Sequence, residues 1–345
     1  MAPPIFRTIV PTTQRPSPLQ HAEPLFFLGS CFSDEVGAGL RSMGHECTIN
    51  PLGTTFNPAA LANTLERLST GTLLSTDDIR YCERTQLFYS FEAGTVHVHE
   101  DRDECTASIN AALTDARIAL ASSSALFLTL GSAWAYAHPD GPTACDGIVL
   151  NCHRQPQAEF ARRLMPVDDV EMYLSRALAA ARALNPSLRR MVVTVSPVRH
   201  WREGAVASSR SKAHLLAAAH AACEAHDARV AHYFPSYEIL LDELRDYRWY
   251  ADDMLHPSDA AVSYITERLV EEHFDRADDE LRAEVGSVRV AARHRHARPA
   301  SKAARAFASA QLERCRTVHK AHPHLAASGA LCDELAMFER ILQNP

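Results

Sequence analysis

The feature that most constrains the fold is a series of short apolar runs that each end abruptly at a small residue or a helix breaker. The first run, residues 25–28, stops at Gly29 and Ser30, and a later one, residues 125–130, stops at Gly131. A short apolar run that ends in this way indicates a buried strand. Segments with helical spacing separate the runs, so the sequence predicts a parallel sheet covered by helices on both faces. The other strand-like runs are residues 45–50, 190–196 and 229–233.

Ser30 follows the first of these runs and precedes a helical stretch at residues 34–44. Gly29 lets the backbone turn there without a steric penalty from a Cβ atom. The start of a helix favours negative charge, because free N–H groups and the helix dipole point toward it. A serine in such a place can act as a nucleophile, and it can equally cap the helix. From this stretch alone both interpretations stay open.

Polar residues follow several of the predicted strands at the point where each strand ends. In parallel sheets, ligands bind beyond the carboxyl ends of the strands. Because these ends share one edge of the sheet, we expect the polar residues to converge on a single site. They are Ser30, the loop at Gly53, Ser132, Arg199 with His200, and Asp253 with His256.

The pair Asp253-x-x-His256 offers two of the groups that ester chemistry requires. Such chemistry needs a nucleophile, a base within hydrogen-bond reach, a group that orients the base, and donors for the oxyanion. The Asp253 carboxylate can fix the tautomer of the imidazole, which leaves the other ring nitrogen free to take a proton from Ser30. The same spacing also arises from a helix-capping aspartate beside a surface histidine, and that alternative stays open.

Several segments, in the same order, resemble one protein family. Gly29-Ser30-Cys31-Phe32 is similar to the signature of the GSCFA family, a branch of the SGNH (GDSL-like) hydrolases. The resemblance covers roughly residues 25–275. It implies a flavodoxin-like three-layer α/β/α fold with a parallel sheet, and an activity that hydrolyses or transfers acyl esters. The other similar segments are residues 50–58, 130–134, 151–153, 195–200, 211–212, 233–238, 242–247 and 253–258.

The resemblance also assigns roles to individual residues. Ser30 becomes the nucleophile, His256 the base and Asp253 the partner of that base. The backbone N–H groups of Ser30 and Gly53 become donors in the oxyanion hole. We therefore expect a serine esterase that works through an acyl-enzyme. The alternatives are an O-acyltransferase that uses the same site, for example with a sugar hydroxyl, and a binding module whose activity has decayed.

The third oxyanion donor is where this chain departs from the superfamily. An asparagine normally stands two residues after a glycine, and Ala133 occupies that position here. We expect Asn151 or Ser132 to replace the missing group. Asn151 is preferred, because an amide N–H reproduces that donor without needing an oriented hydroxyl proton.

Four further residues are candidates for binding the substrate, namely Arg199, His200, His153 and Trp134. Arg199 and His200 can hold a carboxylate, a phosphate or a sugar hydroxyl, and a structural ion pair is the alternative. Cys31 is a second candidate nucleophile, although a free cysteine is more often a small buried apolar residue.

Three regions follow from these patterns: an extended N-terminal segment at residues 1–24, an SGNH-like domain at residues 25–275, and a helical C-terminal extension at residues 276–345. The extension joins an acidic helix to a basic stretch at residues 289–320. We interpret it as a helical pair whose opposite charges face each other, and self-association through these helices is one expectation. A net charge of −7 argues against nucleic acid as a partner.

No cofactor, metal or membrane partner is expected. The sequence lacks an apolar stretch of about 18 residues, as a membrane span requires. Its start has no basic and apolar leader, and its nine cysteines are scattered without a CxxC pair. That usage is typical of reduced thiols, so we expect a cytoplasmic protein that acts on a small-molecule or glycan ester.

Overall fold

The computed structural model describes residues 8–12, 14–294 and 301–343. These residues form two compact units. The first contains the described residues of Met1–Pro11 together with Leu25–Gly37 and Thr48–Ile265, and the second contains those of Thr12–Pro24, Ala38–Cys47 and Thr266–Pro345. The domain boundaries given above stay predictions.

Nine strands lie in the first unit or at its edge, and five of them form the central sheet. The sheet has the order β2-β1-β5-β8-β9, and it is parallel and flanked by helices, as a three-layer α/β/α fold requires. The predicted fold class is therefore confirmed. The strands are β1 Leu25–Gly29, β2 Cys47–Ile49, β3 Arg80–Cys82, β4 Leu87–Tyr89, β5 Ala125–Leu130, β6 Trp134–Ala137, β7 Ala161–Leu164, β8 Arg190–Val195 and β9 Ala231–Phe234.

Eleven α-helices are described. Asn57 followed by Pro58 predicts the start of a helix. The helix begins at Pro58, and the side chain of Asn57 caps it by accepting the Ala60 N–H at 2.9 Å. The helices are α1 Cys31–Ser42, α2 Pro58–Thr70, α3 Arg102–Ser122, α4 Val167–Leu184, α5 Gly204–Glu224, α6 Ser236–Glu238, α7 Asp259–His273, α8 Asp279–Arg293, α9 Lys302–Ala321, α10 Pro323–Ala327 and α11 Cys332–Gln343. None of them is both long and apolar enough to cross a membrane.

The central strands are buried along their whole length. Every residue of β1, β5 and β8 is buried, which explains why these strands are continuous apolar runs rather than alternating ones. Leu25 pairs with Ala125 across β1 and β5, and Ala125 pairs with Arg190 across β5 and β8. This register aligns the carboxyl ends of the three strands.

Gly29 makes the close pairing of β1 with β5 feasible. Its φ is +148°, and a Cβ atom built on it would lie 2.2 Å from the carbonyl oxygen of Thr129. An L-residue disfavours that backbone angle and collides with the neighbouring strand. The glycine that ends the first apolar run is therefore required by the packing of the two strands.

Two small antiparallel sheets accompany the central sheet. Alternation across residues 85–100 around Gly94 predicts a hairpin. The antiparallel bridge between Phe88 and His99 confirms it in part, and β4 pairs with β3 as well. Glu92 is buried, and it accepts hydrogen bonds from Asn63 and Arg67. Turn residues at 139–141 and 146–147 predict an irregular segment from Trp134 to Asn151. This segment begins instead with β6, which pairs with β7.

The second unit has an apolar core of its own. Residues from α8, α9, α10 and α11 form it, with Val285, Cys315 and Phe338 fully buried. More helices are present than the predicted pair, but opposite charges do face each other, because Arg314 donates to Glu284 at 2.6 Å. Arg295 and Arg298 of the predicted basic stretch lie outside the described residues.

Candidate active site

The site lies at the switch point of the sheet. From β1 the chain adds β2 on one side, whereas β5, β8 and β9 follow on the other side. Adjacent strands that lead in opposite directions open a crevice at their carboxyl ends, where open α/β sheets bind ligands. Ser30 follows β1 and Gly131 follows β5, so both residues border this crevice.

A hydrogen-bond network fixes the turn at Ser30. The Asn50 side chain accepts the Gly29 N–H at 2.8 Å and donates to Asp34 at 2.7 Å. Asp34 also accepts from the Thr54 hydroxyl at 3.2 Å. Sequence reasoning did not single out Asn50 or Asp34, and the sequence carries little signal for them, because asparagine and aspartate are common in loops.

The segment that carries Asp253 and His256 is a closed loop. Ala251 N–H donates to the His256 carbonyl at 2.8 Å, and Met254 adopts a left-handed φ of +58° that completes the turn. Asp253 Oδ1 accepts the N–H groups of Leu255 and His256 at 2.8 and 3.0 Å, and its Oδ2 lies 2.6 Å from His256 Nδ1. These backbone bonds, followed by the one to the imidazole, lower the pKa of Asp253 to about 2.

Ser30 and His256 differ in exposure. The side chain of His256 is 50% exposed, whereas Ser30 is 1% exposed. Among the residues that the structure describes, Ser30 Oγ has no hydrogen-bond partner. The structure therefore forms the Asp253–His256 half of the predicted triad and leaves the predicted nucleophile, Ser30, without a hydrogen bond to a described residue.

Both predicted backbone donors of the oxyanion hole are occupied. Ser30 N–H donates to the Thr129 carbonyl at 3.1 Å, and Gly53 N–H donates to the Asn50 carbonyl at 2.7 Å. An oxyanion would have to share these N–H groups. Stabilising an oxyanion at Ser30 would therefore require a further positively polarised group besides the two N–H groups predicted from the sequence.

A cavity of about 330 Å³ lies beside the crevice and brings together four predicted site residues: Ser132, Trp134, Asn151 and His200. Phe56 lines it as well and meets the ring of His200 edge to face at 5.9 Å. Burial, with the charges of Lys212 and His256, lowers the pKa of His200 to about 4. His200 is thus a neutral donor and acceptor at physiological pH.

Ser132 and His153 are held by structural contacts. The Ser132 hydroxyl accepts the Trp134 N–H at 3.0 Å and lies 3.3 Å from the Ser211 hydroxyl. His153 is 5% exposed, and its Nε2 lies 2.8 and 2.9 Å from the carbonyl oxygens of Ser90 and Ala93. These contacts tie His153 to the segment at residues 90–93, and its role in binding substrate stays a prediction. Asn151 uses its side-chain oxygen to accept the His153 N–H at 2.8 Å.

A second cavity, of about 270 Å³, lies on the other side of residues 199–202. Arg199 and Trp201 line this cavity with Met254 of the loop that carries Asp253 and His256, whereas His200 and Arg202 line the first one. The segment after β8 is therefore a wall between two cavities, and its alternate side chains face opposite sides.

Lys212 is the functional candidate that the sequence reasoning missed. It is buried in α5, and its Nζ donates to the carbonyl oxygens of Gly131 at 2.7 Å and Ser196 at 2.6 Å. The preceding Ser211 accepts the Ala133 N–H at 2.8 Å. Residues 211–212 were noted only as part of the resemblance, and the scarcity of lysine in this chain was the signal that could have identified Lys212.

Other chemistries have less support from the geometry. Burial raises the pKa of the Cys31 thiol, which lowers its thiolate fraction and its reactivity. Within residues 8–12, 14–294 and 301–343, no group of three or more His, Cys, Asp or Glu side chains could hold a metal ion.

The family comparison agrees with the segments described above. A sequence model of the GSCFA family matches residues 24–269. This range contains the whole central sheet, the turn at Ser30 and the loop of Asp253 and His256. No curated protein matches the chain.

Proposed function

We propose that this chain, which belongs to the GSCFA family, is a serine esterase of the SGNH type. The observation that carries the proposal is the 2.6 Å hydrogen bond between Asp253 Oδ2 and His256 Nδ1. It leaves Nε2 of the ring available as a general base. Ser30, at the switch point of the same sheet, is the residue that this base would activate. The substrate is a small-molecule or glycan ester, and no nucleic acid, cofactor or metal takes part.

The proposed reaction has two halves. Ser30 Oγ bonds to the ester carbonyl carbon while its proton passes to His256 Nε2 and the carbonyl oxygen becomes an oxyanion. The intermediate collapses when the bond to the alcohol breaks and the alcohol oxygen takes the proton from His256. Water then attacks the acyl-enzyme with the same base and releases the acid. The bond between Ser30 and His256 forms with substrate, since such bonds are often long in free enzymes.

A fluorophosphonate probe tests the nucleophile directly. Wild-type protein should be labelled on Ser30, as mapped by peptide mass spectrometry, whereas Ser30→Ala and His256→Ala should lose both labelling and ester turnover. Cys31→Ala is the matched control, and it should keep both. Labelling that persists in Ser30→Ala and disappears in Cys31→Ala would move the nucleophile to Cys31.

The two cavities favour O-acyltransferase activity as a second candidate function. A transferase needs one place for the acyl donor and another for the acceptor, and the wall at residues 199–202 separates two such spaces. Product analysis distinguishes the two activities. With an ester donor and a panel of sugar acceptors, a transferase gives an acylated sugar, whereas an esterase gives only the free acid.

A decayed binding module is the remaining alternative, because the Ser30 hydroxyl is buried and unengaged among the described residues. Absence of both probe labelling and ester cleavage in folded wild-type protein would favour it. We also propose a cytoplasmic location, because all nine cysteines are free thiols and reduced thiols are usual in that compartment.

A further inference from the structure

Lys212 stands out against the composition of the chain. Three of the 35 basic residues are lysines, and the others are arginines. Lys302 and Lys320 belong to α9, so Lys212 is the one lysine before residue 302. It is also 1% exposed, a rare environment for a lysine.

The contacts of Lys212 join the two strand ends next to the nucleophile. Its Nζ lies 2.7 Å from the carbonyl oxygen of Gly131 and 2.6 Å from that of Ser196, the residues that follow β5 and β8. Gly131 packs against Ser30, since a Cβ atom built on Gly131 would lie 3.1 Å from Ser30 Cβ. Gly131 therefore lies between the amine and Ser30. The amine also contacts Ser196, at the start of the segment that leads to His200.

We propose that Lys212 is a positioning residue of the acyl-transfer site, whose ammonium group fixes the ends of β5 and β8 and places a positive charge beneath Ser30 that stabilises the oxyanion. This inference rests on the function proposed above. It accounts for two observations together: Ala133 stands where the superfamily has a side-chain donor, and the N–H groups of Ser30 and Gly53 already have backbone partners. The lysine gives up no proton and forms no bond in the reaction.

The choice of lysine over arginine fits this role. A guanidinium group has five donors in a planar fork and keeps its charge at every accessible pH, whereas an ammonium group is a compact point charge whose pKa shifts readily when buried. Two carbonyl oxygens satisfy two of its three N–H bonds. A charge held in a region of low dielectric acts strongly on negative charge that develops nearby.

The surroundings make the charge of Lys212 depend on pH. Burial and the charge of Arg199 lower the pKa of Lys212 to about 7, while the Cys31 thiol acts in the opposite direction. Lys212 in turn lowers the pKa of His200. Above about pH 7 the ammonium loses its proton, so kcat/KM should decline on the alkaline side with the titration of this one group.

The test compares Lys212→Met with wild-type protein across pH 5–9.5, and Lys302→Met is the matched control on the surface of α9. We expect Lys212→Met to lower kcat at pH 6.5 about tenfold or more, with KM little changed, and to remove the alkaline decline. Lys212→Arg should restore part of kcat without restoring that decline. Wild-type kcat and an unchanged pH profile in Lys212→Met would overturn the proposal.

A second measurement covers the case in which the variants do not fold. Biosynthetic labelling with lysine enriched in ¹³C at Cε gives three signals in the wild-type chain, and Lys302→Arg with Lys320→Arg assigns the one from Lys212. A Lys212 signal that is still protonated at pH 6.5 supports the proposal. A signal that is already neutral at pH 6.5 refutes it, because a neutral amine places no charge near Ser30. Wild-type protein that does not label Ser30 with the fluorophosphonate would refute the esterase, which separates that failure from a failure of the lysine role.

Discussion

The backbone N–H of Arg199 donates a hydrogen bond of 2.9 Å to the carbonyl oxygen of Leu255. This bond ties the segment after β8 to the loop that carries Asp253 and His256. Lys212 holds the start of the same segment through Ser196. The proposed general base, His256, is therefore attached to the sheet by a short path of hydrogen bonds, although its own side chain is half exposed.

Removing the N–H of Arg199 should loosen the loop that carries Asp253 and His256. Arg199→Pro eliminates the donor and the side chain, whereas Arg199→Ala eliminates only the side chain, so the pair isolates the backbone bond. We expect both variants to raise KM for an anionic ester, and only Arg199→Pro to lower kcat, by about tenfold, since a displaced base costs at least that much. Equal kcat values for the two folded variants would show that the bond does not position the loop.

Asp253→Asn tests the orientation of the base. The amide nitrogen cannot accept the His256 Nδ1–H, so the imidazole loses its fixed tautomer, and kcat should fall about 10³–10⁴-fold. Asp252→Asn is the matched control, because it changes the neighbouring acid and leaves the loop bonds of Asp253 in place. Ester turnover in Asp253→Asn within a few-fold of that in Asp252→Asn would contradict the assignment.

The sequence was sufficient for the parts of the fold that depend on local signals. Apolar runs that end at Gly29 and Gly131 predicted β1 and β5, and Asn57 before Pro58 predicted the start of α2. The alternation around Gly94 predicted the antiparallel pairing of Phe88 with His99. It did not predict the burial of Glu92 against Arg67, because only the tertiary fold supplies that partner. The pairing of β6 with β7 depends on residues about 30 positions apart, which periodicity does not reveal.

The candidate site was predictable in its residue types but less so in its geometry. The sheet topology correctly placed Ser30, Ser132 and His200 near one edge. His153 is buried, and its Nε2 contacts the carbonyl oxygens of Ser90 and Ala93. The occupied N–H of Gly53 and the buried Lys212 arise from turns and from helix packing, and no local pattern encodes them.

Gly29→Ala should destabilise the sheet severely. The new methyl group would lie 2.2 Å from the Thr129 carbonyl oxygen, and φ of +148° is unfavourable for alanine. A loss of about 3 kcal/mol or more in the free energy of unfolding is expected in urea titrations. Gly286→Ala is the control, since nothing lies within 4 Å of the added atom in α8, and it should gain about 0.5–1 kcal/mol. Similar stabilities for the two variants would mean that β1 and β5 do not approach as described.

A histidine cluster in the second unit predicts sensitivity to acid. His45 is buried, and neither of its ring nitrogens has a hydrogen-bond partner among the described residues. Its ring stacks on His21 at 4.3 Å and lies edge-on to Phe274 at 4.8 Å. Burial lowers the pKa of His45 well below 6.5, and burial also lowers the pKa values of His21 and His324. Below pH 6.5 the unfolded chain therefore binds more protons than the folded chain, and stability falls as the pH falls.

His45→Phe isolates one member of that cluster. Phenylalanine preserves the ring contacts with His21 and Phe274 and removes two buried polar atoms that lack partners, so stability at pH 7.5 should be unchanged or slightly higher. Between pH 6.5 and 4.5 the free energy of unfolding should fall less steeply than in the wild type, by up to about 1.4 kcal/mol per pH unit, because one fewer proton separates the two states. Urea titrations at pH 4.5, 5.5, 6.5 and 7.5 measure both slopes. Parallel slopes for His45→Phe and wild-type protein would show that His45 binds protons equally in the folded and unfolded chains. Burial of His45 would then not be a cause of acid unfolding.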